Sequence, residues 1–203
     1  MSFQKQIMLV KDRFSKRVNI IFCLSVIFFS NIVAAENLEL KLLNYNEDLK
    51  NSSLLFVQSD GKTLEEGVVY IGFDRIRVEY LNPNKITIVL SKKKGMFVNH
   101  ELKEVQYFDT NKSFVKIFFK ILTGEIFYED SDIITSNDNI VIKTNFETKD
   151  NYFKIEVIYE NEPVKLRKIK VLENQESYEI GFFNQTSLNS EEKDFSLINP
   201  YLF

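Results

Sequence analysis

Hydrophobicity that repeats every second residue, in short runs split by turn residues, constrains this chain more than any other feature. That period belongs to a strand with one buried face. In Arg75-Ile76-Arg77-Val78-Glu79-Tyr80 the odd positions are charged and the even ones apolar; Ile86–Leu90 and Tyr152–Tyr159 behave similarly, one face wet and one greasy. Candidate strands are Leu54–Gln58, Glu66–Phe73, Arg75–Tyr80, Ile86–Ser91, Met96–Asn99, Val105–Phe108, Ile126–Tyr128, Ile140–Thr144, Tyr152–Glu160, Val164–Leu172 and Ser177–Phe183. Asp60-Gly61, Asn82-Pro83-Asn84, Lys92–Gly95, Asn137-Asp138-Asn139 and Asn161-Glu162-Pro163 supply the turns. Short strands at even spacing without crossover helices predict one antiparallel sheet, curled into a barrel or half-barrel. Both faces of Val68–Phe73 are apolar, so the pattern leaves its inward face open.

Two segments carry the helical period instead. Leu38, Leu42, Tyr45 and Leu49 form one stripe, which predicts a helix over 37–50. Phe114, Ile117, Phe118, Ile121 and Leu122 form another over 112–122, with Asn111 or Ser113 as the cap and Gly124 just past the end. A sheet with one apolar face needs a cover. The helix at 112–122 is either a plug in the core or a lid over a cavity that accepts an apolar ligand.

The first 35 residues differ from the rest. Lys5, Lys11, Arg13, Lys16 and Arg17 precede an apolar run from Val18 to Ala34, and Val33-Ala34-Ala35 stands before Glu36. This is the layout of a secretory signal peptide cleaved after about Ala35. The alternative is an uncleaved anchor, but Asn19, Ser25, Ser30 and Asn31 make the run short and wet for a span. Phe22 is too bulky to precede a lipid-modified Cys23, so Cys23 leaves with the leader. Residues 36–203 then carry a net charge of about −7, against −3 for the whole chain, and contain no cysteine. Nucleic acid is thus not an expected partner. The mature domain is large enough to fold without disulfides, and its expected address is the periplasm.

Little in the sequence points to catalysis. His100 is the single histidine, so neither a Ser-His-Asp set nor a two-His metal site can form, and it reads as an exposed turn residue. Asp130-Ser131-Asp132 lacks the glycine and distal glutamate of a calcium loop. Lys92-Lys93-Lys94 reads as a basic hairpin turn that discourages edge pairing. No carboxylate pair has a spacing that demands acid–base work. The chain is expected to be neither an enzyme nor a holder of metal or cofactor.

At residues 64–105 the chain resembles the LolA family of outer-membrane lipoprotein carriers. The family pattern opens a strand with an acidic-Gly pair, continues Arg-Pro-x-Arg-Phe-Arg-Trp-Glu-Tyr, and reaches Pro after two more residues. Here Glu66-Gly67 opens the strand, Arg75–Tyr80 occupies the second Arg through Tyr, and Pro83 follows at the right distance. The Ile/Val strand is Ile86–Leu90, the turn Ser91–Gly95, and Met96-Phe97-Val98-Asn99 leads to Leu102 and Val105 at the family spacing. The apolar helix at 112–122 follows where the family has one. Three departures stand out: Gly72-Phe73 in place of Arg-Pro, Val78 in place of Trp, and Lys92–Lys94 in place of Asp at the turn.

The resemblance implies an incomplete, half-open antiparallel β-barrel, with two or three helices over an apolar cavity, as a single domain over 36–203. It also implies a job, which is to carry the acyl chains of lipoproteins across the periplasm. Exposing a CH₂ costs about 0.8 kcal/mol, so a chain of ~15 methylenes costs on the order of 12 kcal/mol. The implied partners are acylated lipoproteins, an inner-membrane ABC-type release complex (LolCDE-like) and an outer-membrane acceptor (LolB-like); a monomer is expected. Expected cavity walls are Ile76, Val78 and Tyr80, with Ile86, Ile88, Leu90 and Phe97; Phe114, Ile117, Phe118 and Ile121 would form the lid. The family arginine that holds the lid closed is missing, which makes Arg75 and Arg77 the gating candidates. Two alternatives remain: a periplasmic binder of other lipids or apolar peptides, and an envelope scaffold that uses the sheet only as an interaction surface.

Overall fold

In the computed structural model, residues 38–112, 115–125, 131–147, 151–174, 176–188 and 195–202 are described. The leader, Ser113, Phe114, the expected strand at Ile126–Tyr128 and Asp130 lie outside them. The chain divides after Leu42 into two units, and the second, Leu43–Phe203, carries the sheet.

Alternation gives the expected result. Among the described residues, eleven strands form one antiparallel sheet: β1 Ser52–Ser59, β2 Leu64–Ile71, β3 Arg75–Asn82, β4 Ile86–Ser91, β5 Lys94–Asn99, β6 Glu104–Asp109, β7 Asp132–Thr135, β8 Asn139–Glu147, β9 Tyr152–Glu160, β10 Lys165–Glu173 and β11 Glu176–Ser187. The order is β6-β5-β4-β3-β2-β1-β11-β10-β9-β8-β7. β6 and β7 stay apart as edges, so the barrel is half open. Helix α1 spans 38–49, and a 3₁₀ turn at Thr110–Lys112 leads to α2, Val115–Leu122. β7 is not legible in the sequence: all four residues of Asp-Ile-Ile-Thr are exposed, so no alternation betrays them.

The register shows which side chains share a face. Ile76, Val78 and Tyr80 stand opposite Leu90, Ile88 and Ile86. On β1 the inward residues are Leu54, Phe56 and Gln58; Phe56 pairs with Phe182 of β11, and Gln58 with Ile180. The open question at β2 resolves to Val69 and Ile71 inward, both fully buried, with Val68 and Tyr70 on the other face. Beyond β11 the same face continues through Ile169, Val157 and Ile142.

Gly67 is the inward residue between Phe56 and Tyr80, paired with both. A Cβ there would collide with the Glu79 carbonyl oxygen and lie 2.8 Å from the Phe56 ring. Glycine lets the two rings meet edge-to-face across β2, with centroids 5.1 Å apart. That contact gives the acidic-Gly pair a physical reason.

The outer face departs from expectation. Val89 on β4 is fully buried and forms a second core with Met96 and Val98, so β4 has two apolar faces. The cover is the C-terminal segment 195–202, whose Leu197 packs on this cluster together with Val105. Arg75 Nη1 donates to the Phe195 carbonyl at 3.0 Å, and the Tyr107 hydroxyl donates to the Leu197 carbonyl at 3.2 Å. His100 is not a free turn residue. Its Nε2 lies 2.8 Å from Thr87 Oγ1 and its Nδ1 2.8 Å from the Tyr201 hydroxyl.

Candidate functional site

The inner face is covered at its centre by α2. Ile117, Phe119, Ile121 and Leu122 are buried and anchor the helix. Val115 and Phe118 instead face a cavity of about 90 Å³ between the helix and the sheet. Its floor comes from Phe56 and Gln58 on β1, Val78 and Tyr80 on β3, Ile88 and Leu90 on β4, and Ile180 on β11. Phe118 also stacks on Phe182, with centroids 6.4 Å apart. Among the described residues, Tyr80 and Gln58 alone interrupt a hydrocarbon lining.

Of the expected site residues, Val78, Tyr80, Ile88, Leu90 and Phe118 come together around this space. Ile76, Ile117 and Ile121 do not line it; they are almost wholly buried in the core. Ile86 and Phe97 face the same side, half-buried, but outside the lining. Phe114 lies outside the described residues. Sequence reasoning misses Phe56, Gln58, Val115 and Ile180. Phe56, Gln58 and Ile180 are recoverable from it, because they alternate with outward residues in strands that the pattern locates.

Arg75 and Arg77 require a correction. Their odd parity sets them on the face opposite Val78 and Tyr80, away from the cavity. Arg75 holds the C-terminal segment, and Arg77 Nε donates to Glu79 Oε1 at 2.7 Å. Neither sits where it could bond a helix on the inner face.

At the cavity's polar end the Tyr80 hydroxyl donates to Gln58 Oε1 at 3.1 Å, and Gln58 Nε2 donates to Glu65 Oε2 at 3.2 Å. Burial, with the Glu65 charge added, pushes the Tyr80 hydroxyl up to about 12, so it remains a donor at neutral pH. Across the sheet, the Tyr45 hydroxyl of α1 accepts from the Leu166 backbone N–H at 2.9 Å, and its ring meets Tyr159 edge-on.

Two larger depressions are of a different kind. One of about 600 Å³ beside α1 is lined by Asp48, Lys165, Arg167, Asn184 and Gln185 among others. One of about 460 Å³ at the β1–β2 turn is lined by Asp60, Lys62, Glu176 and Glu179 among others. Charged walls make both unfit for a hydrocarbon chain. Among the described residues, no group of three or more His, Cys, Asp or Glu side chains is placed to hold a metal ion. Nor, among them, is any helix long and apolar enough to cross a membrane.

A family model described as outer membrane lipoprotein carrier protein LolA matches residues 49–197. The bifunctional protein GlmU of Methanococcus maripaludis (strain C5 / ATCC BAA-1333) is 30% identical over 106 residues, which is 51% of this chain and 24% of that protein. The chain thus spans about a quarter of the length of that curated relative. Among solved structures, an uncharacterized conserved protein from Thermus thermophilus is similar at 11% identity, with 76% of this chain and 88% of that chain covered and a TM-score of 0.45. MucB in complex with MucA(peri) is similar at 10% identity, with 73% and 54% covered and a TM-score of 0.40.

Proposed function

The chain belongs to the LolA family of outer-membrane lipoprotein carriers, and from that premise we propose that it carries the acyl chains of lipoproteins across the periplasm from an inner-membrane release complex to an outer-membrane acceptor. Members of the family are periplasmic, non-enzymatic carriers. The observation that carries the reading is the hydrocarbon-lined space between α2 and strands β1, β3, β4 and β11.

The size of that space bears on the mechanism. About 90 Å³ is less than the roughly 150 Å³ that holds one benzene ring in an engineered apolar cavity. An acyl chain therefore enters only when α2 moves off the sheet. Val115 and Phe118 then exchange contacts with the sheet for contacts with the chain, so the apolar area hidden from water changes little. Hand-off needs no covalent step, only an acceptor that is greasier than the cavity. Export by the leader and cleavage after about Ala35 complete the reading.

Native mass spectrometry on the protein purified from periplasm without detergent tests this. The expected result is an adduct whose mass is that of an acylated protein. A phospholipid adduct alone would assign the cavity to a different lipid pathway. A bare protein that also refuses a hydrophobic dye would exclude a carrier.

A further inference from the structure

The polar end of the cavity resolves what kind of acyl group fits it; this rests on the carrier reading above. Tyr80 and Gln58 lie side by side at one end, and Glu65 is paired with Gln58 across β1 and β2. The three form a chain in which Tyr80 donates to Gln58 and Gln58 donates to Glu65. The rest of the lining, from Phe56 to Leu90 and Phe118, is hydrocarbon. A ligand with an apolar tail thus has one way to lie, with its head at Tyr80.

The chemistry of that end is selective. It offers the Tyr80 hydroxyl as donor and the Gln58 amide carbonyl as acceptor, which bond each other. A head that brings an ester carbonyl oxygen to Tyr80 and the neighbouring amide N–H to Gln58 replaces that one bond by two; a trans amide alone cannot, because its C=O and N–H point in opposite directions. The Glu65 carboxylate accepts from Gln58 and is close enough to raise the Tyr80 hydroxyl. An anionic head would be desolvated next to it and repelled. We propose that Tyr80, Gln58 and Glu65 form a head subsite that accepts the neutral ester and amide groups of an acylated polypeptide and rejects free fatty acids and anionic phospholipid heads.

Three probes displacing a hydrophobic dye from the mature protein test this. They are an N-palmitoyl, dipalmitoylglyceryl cysteine peptide; the same peptide with ether-linked chains; and palmitate at alkaline pH. Wild type should hold the ester peptide about five- to tenfold tighter than the ether analogue, the weight of one hydrogen bond. Tyr80→Phe should erase that ratio, by weakening the ester peptide relative to the ether analogue. Glu65→Gln should tighten palmitate severalfold, and by more than it changes the peptide. Equal binding of ester and ether by wild type, a ratio that survives Tyr80→Phe, or palmitate indifferent to Glu65→Gln would each overturn the subsite while the carrier reading stands. If no probe displaces the dye from wild type, the carrier reading falls and the subsite with it.

Discussion

Two segments cover the same sheet from opposite sides, and different forces hold them. The C-terminal segment 195–202 lies on the outer face over a filled core of Val89, Met96 and Val98. Directional bonds from Arg75 and Tyr107, and the pairing of His100 with Tyr201, fix its path. Helix α2 lies on the inner face over a void and presents Val115 and Phe118 to it, while its other apolar side chains dock by burial. Hydrogen bonds make a cover specific in position and costly to shift. Apolar contact is non-directional and survives exchange of one greasy partner for another. The first cover suits a permanent latch and the second a movable one.

The largest expected effect separates the two by function. Phe118→Glu puts a carboxylate into the hydrocarbon space and should weaken binding of acylated peptide by at least about 100-fold, since an unpaired charge there costs several kcal/mol. The protein should still fold with at most a modest fall in melting temperature, because Phe118 is only half-buried and the carboxylate can turn to water when no chain fills the space. Met96→Ala, under the outer cover, should do the reverse: a loss of about 2–4 kcal/mol in denaturant unfolding, with peptide affinity unchanged. If Met96→Ala also loses cargo, the two covers are coupled and the division fails.

Gly67→Ala probes the floor on which α2 rests. The added methyl must displace the Phe56 ring or the Glu79 carbonyl, for an expected loss of about 1–3 kcal/mol in chemical unfolding. Because the Phe56–Tyr80 contact lines the cavity, dye binding should weaken as well. Unchanged dye binding would show that the floor tolerates rearrangement and that the cavity's shape does not depend on this contact.

The unequal legibility of the two covers has a physical cause. The inner face can be read because parity is a local property: Val78, Tyr80, Ile88 and Leu90 follow from alternation alone. Parity cannot say where along a strand the helix lies, so it puts Ile76 and Ile86 in a lining that excludes them. The 195–202 segment has neither period, and its place is set by partners far away in sequence, as Arg75 is 120 positions from Phe195. Its imprint is visible in Met96, Val98 and Val89, whose apolar side chains share a face that the charges of β3 mark as wet. Arg75 and Arg77 become gating candidates only through a resemblance, and the alternation in their own strand argues against it.

Alkaline pH should act on the inner side first. Tyr80 and Tyr45 are both raised to about 12 by burial, so between roughly pH 10 and 12 the folded state keeps protons that the unfolded chain has released. The stability these hydroxyls contribute is complete below about pH 10 and is lost as pH rises through that window. Unfolding followed by circular dichroism from pH 9 to 12 should show the fall. Tyr80→Phe should make it shallower, with Tyr45, and Tyr178 raised by its bond to Glu176, still contributing. A slope that Tyr80→Phe leaves untouched would mean that Tyr80 ionises in place without cost, and hence that α2 already lets water reach it.

The smallest effect concerns the point where α2 ends. Gly124, at φ +78°, follows the helix, and the Asn46 side chain of α1 occupies the space its missing Cβ leaves. Asn46 is 2% exposed, and neither amide atom has a hydrogen-bond partner among the described residues. An orphaned buried amide costs about 1–3 kcal/mol, a cost that water removes if the helix end lifts away. The outer cover shows the opposite arrangement, since the buried Thr87 hydroxyl is bonded to His100. Asn46→Leu keeps the branching and removes the orphan, so it should stabilise the protein by about 1 kcal/mol or less in thermal unfolding. It should also slow dye uptake in stopped flow by up to about fivefold, because the closed form gains what the open form does not. A rise in melting temperature with unaltered uptake would mean that Asn46 stays buried throughout opening. The end of α2 at Gly124 would then be the fixed hinge, and the swinging end would be the one at Val115.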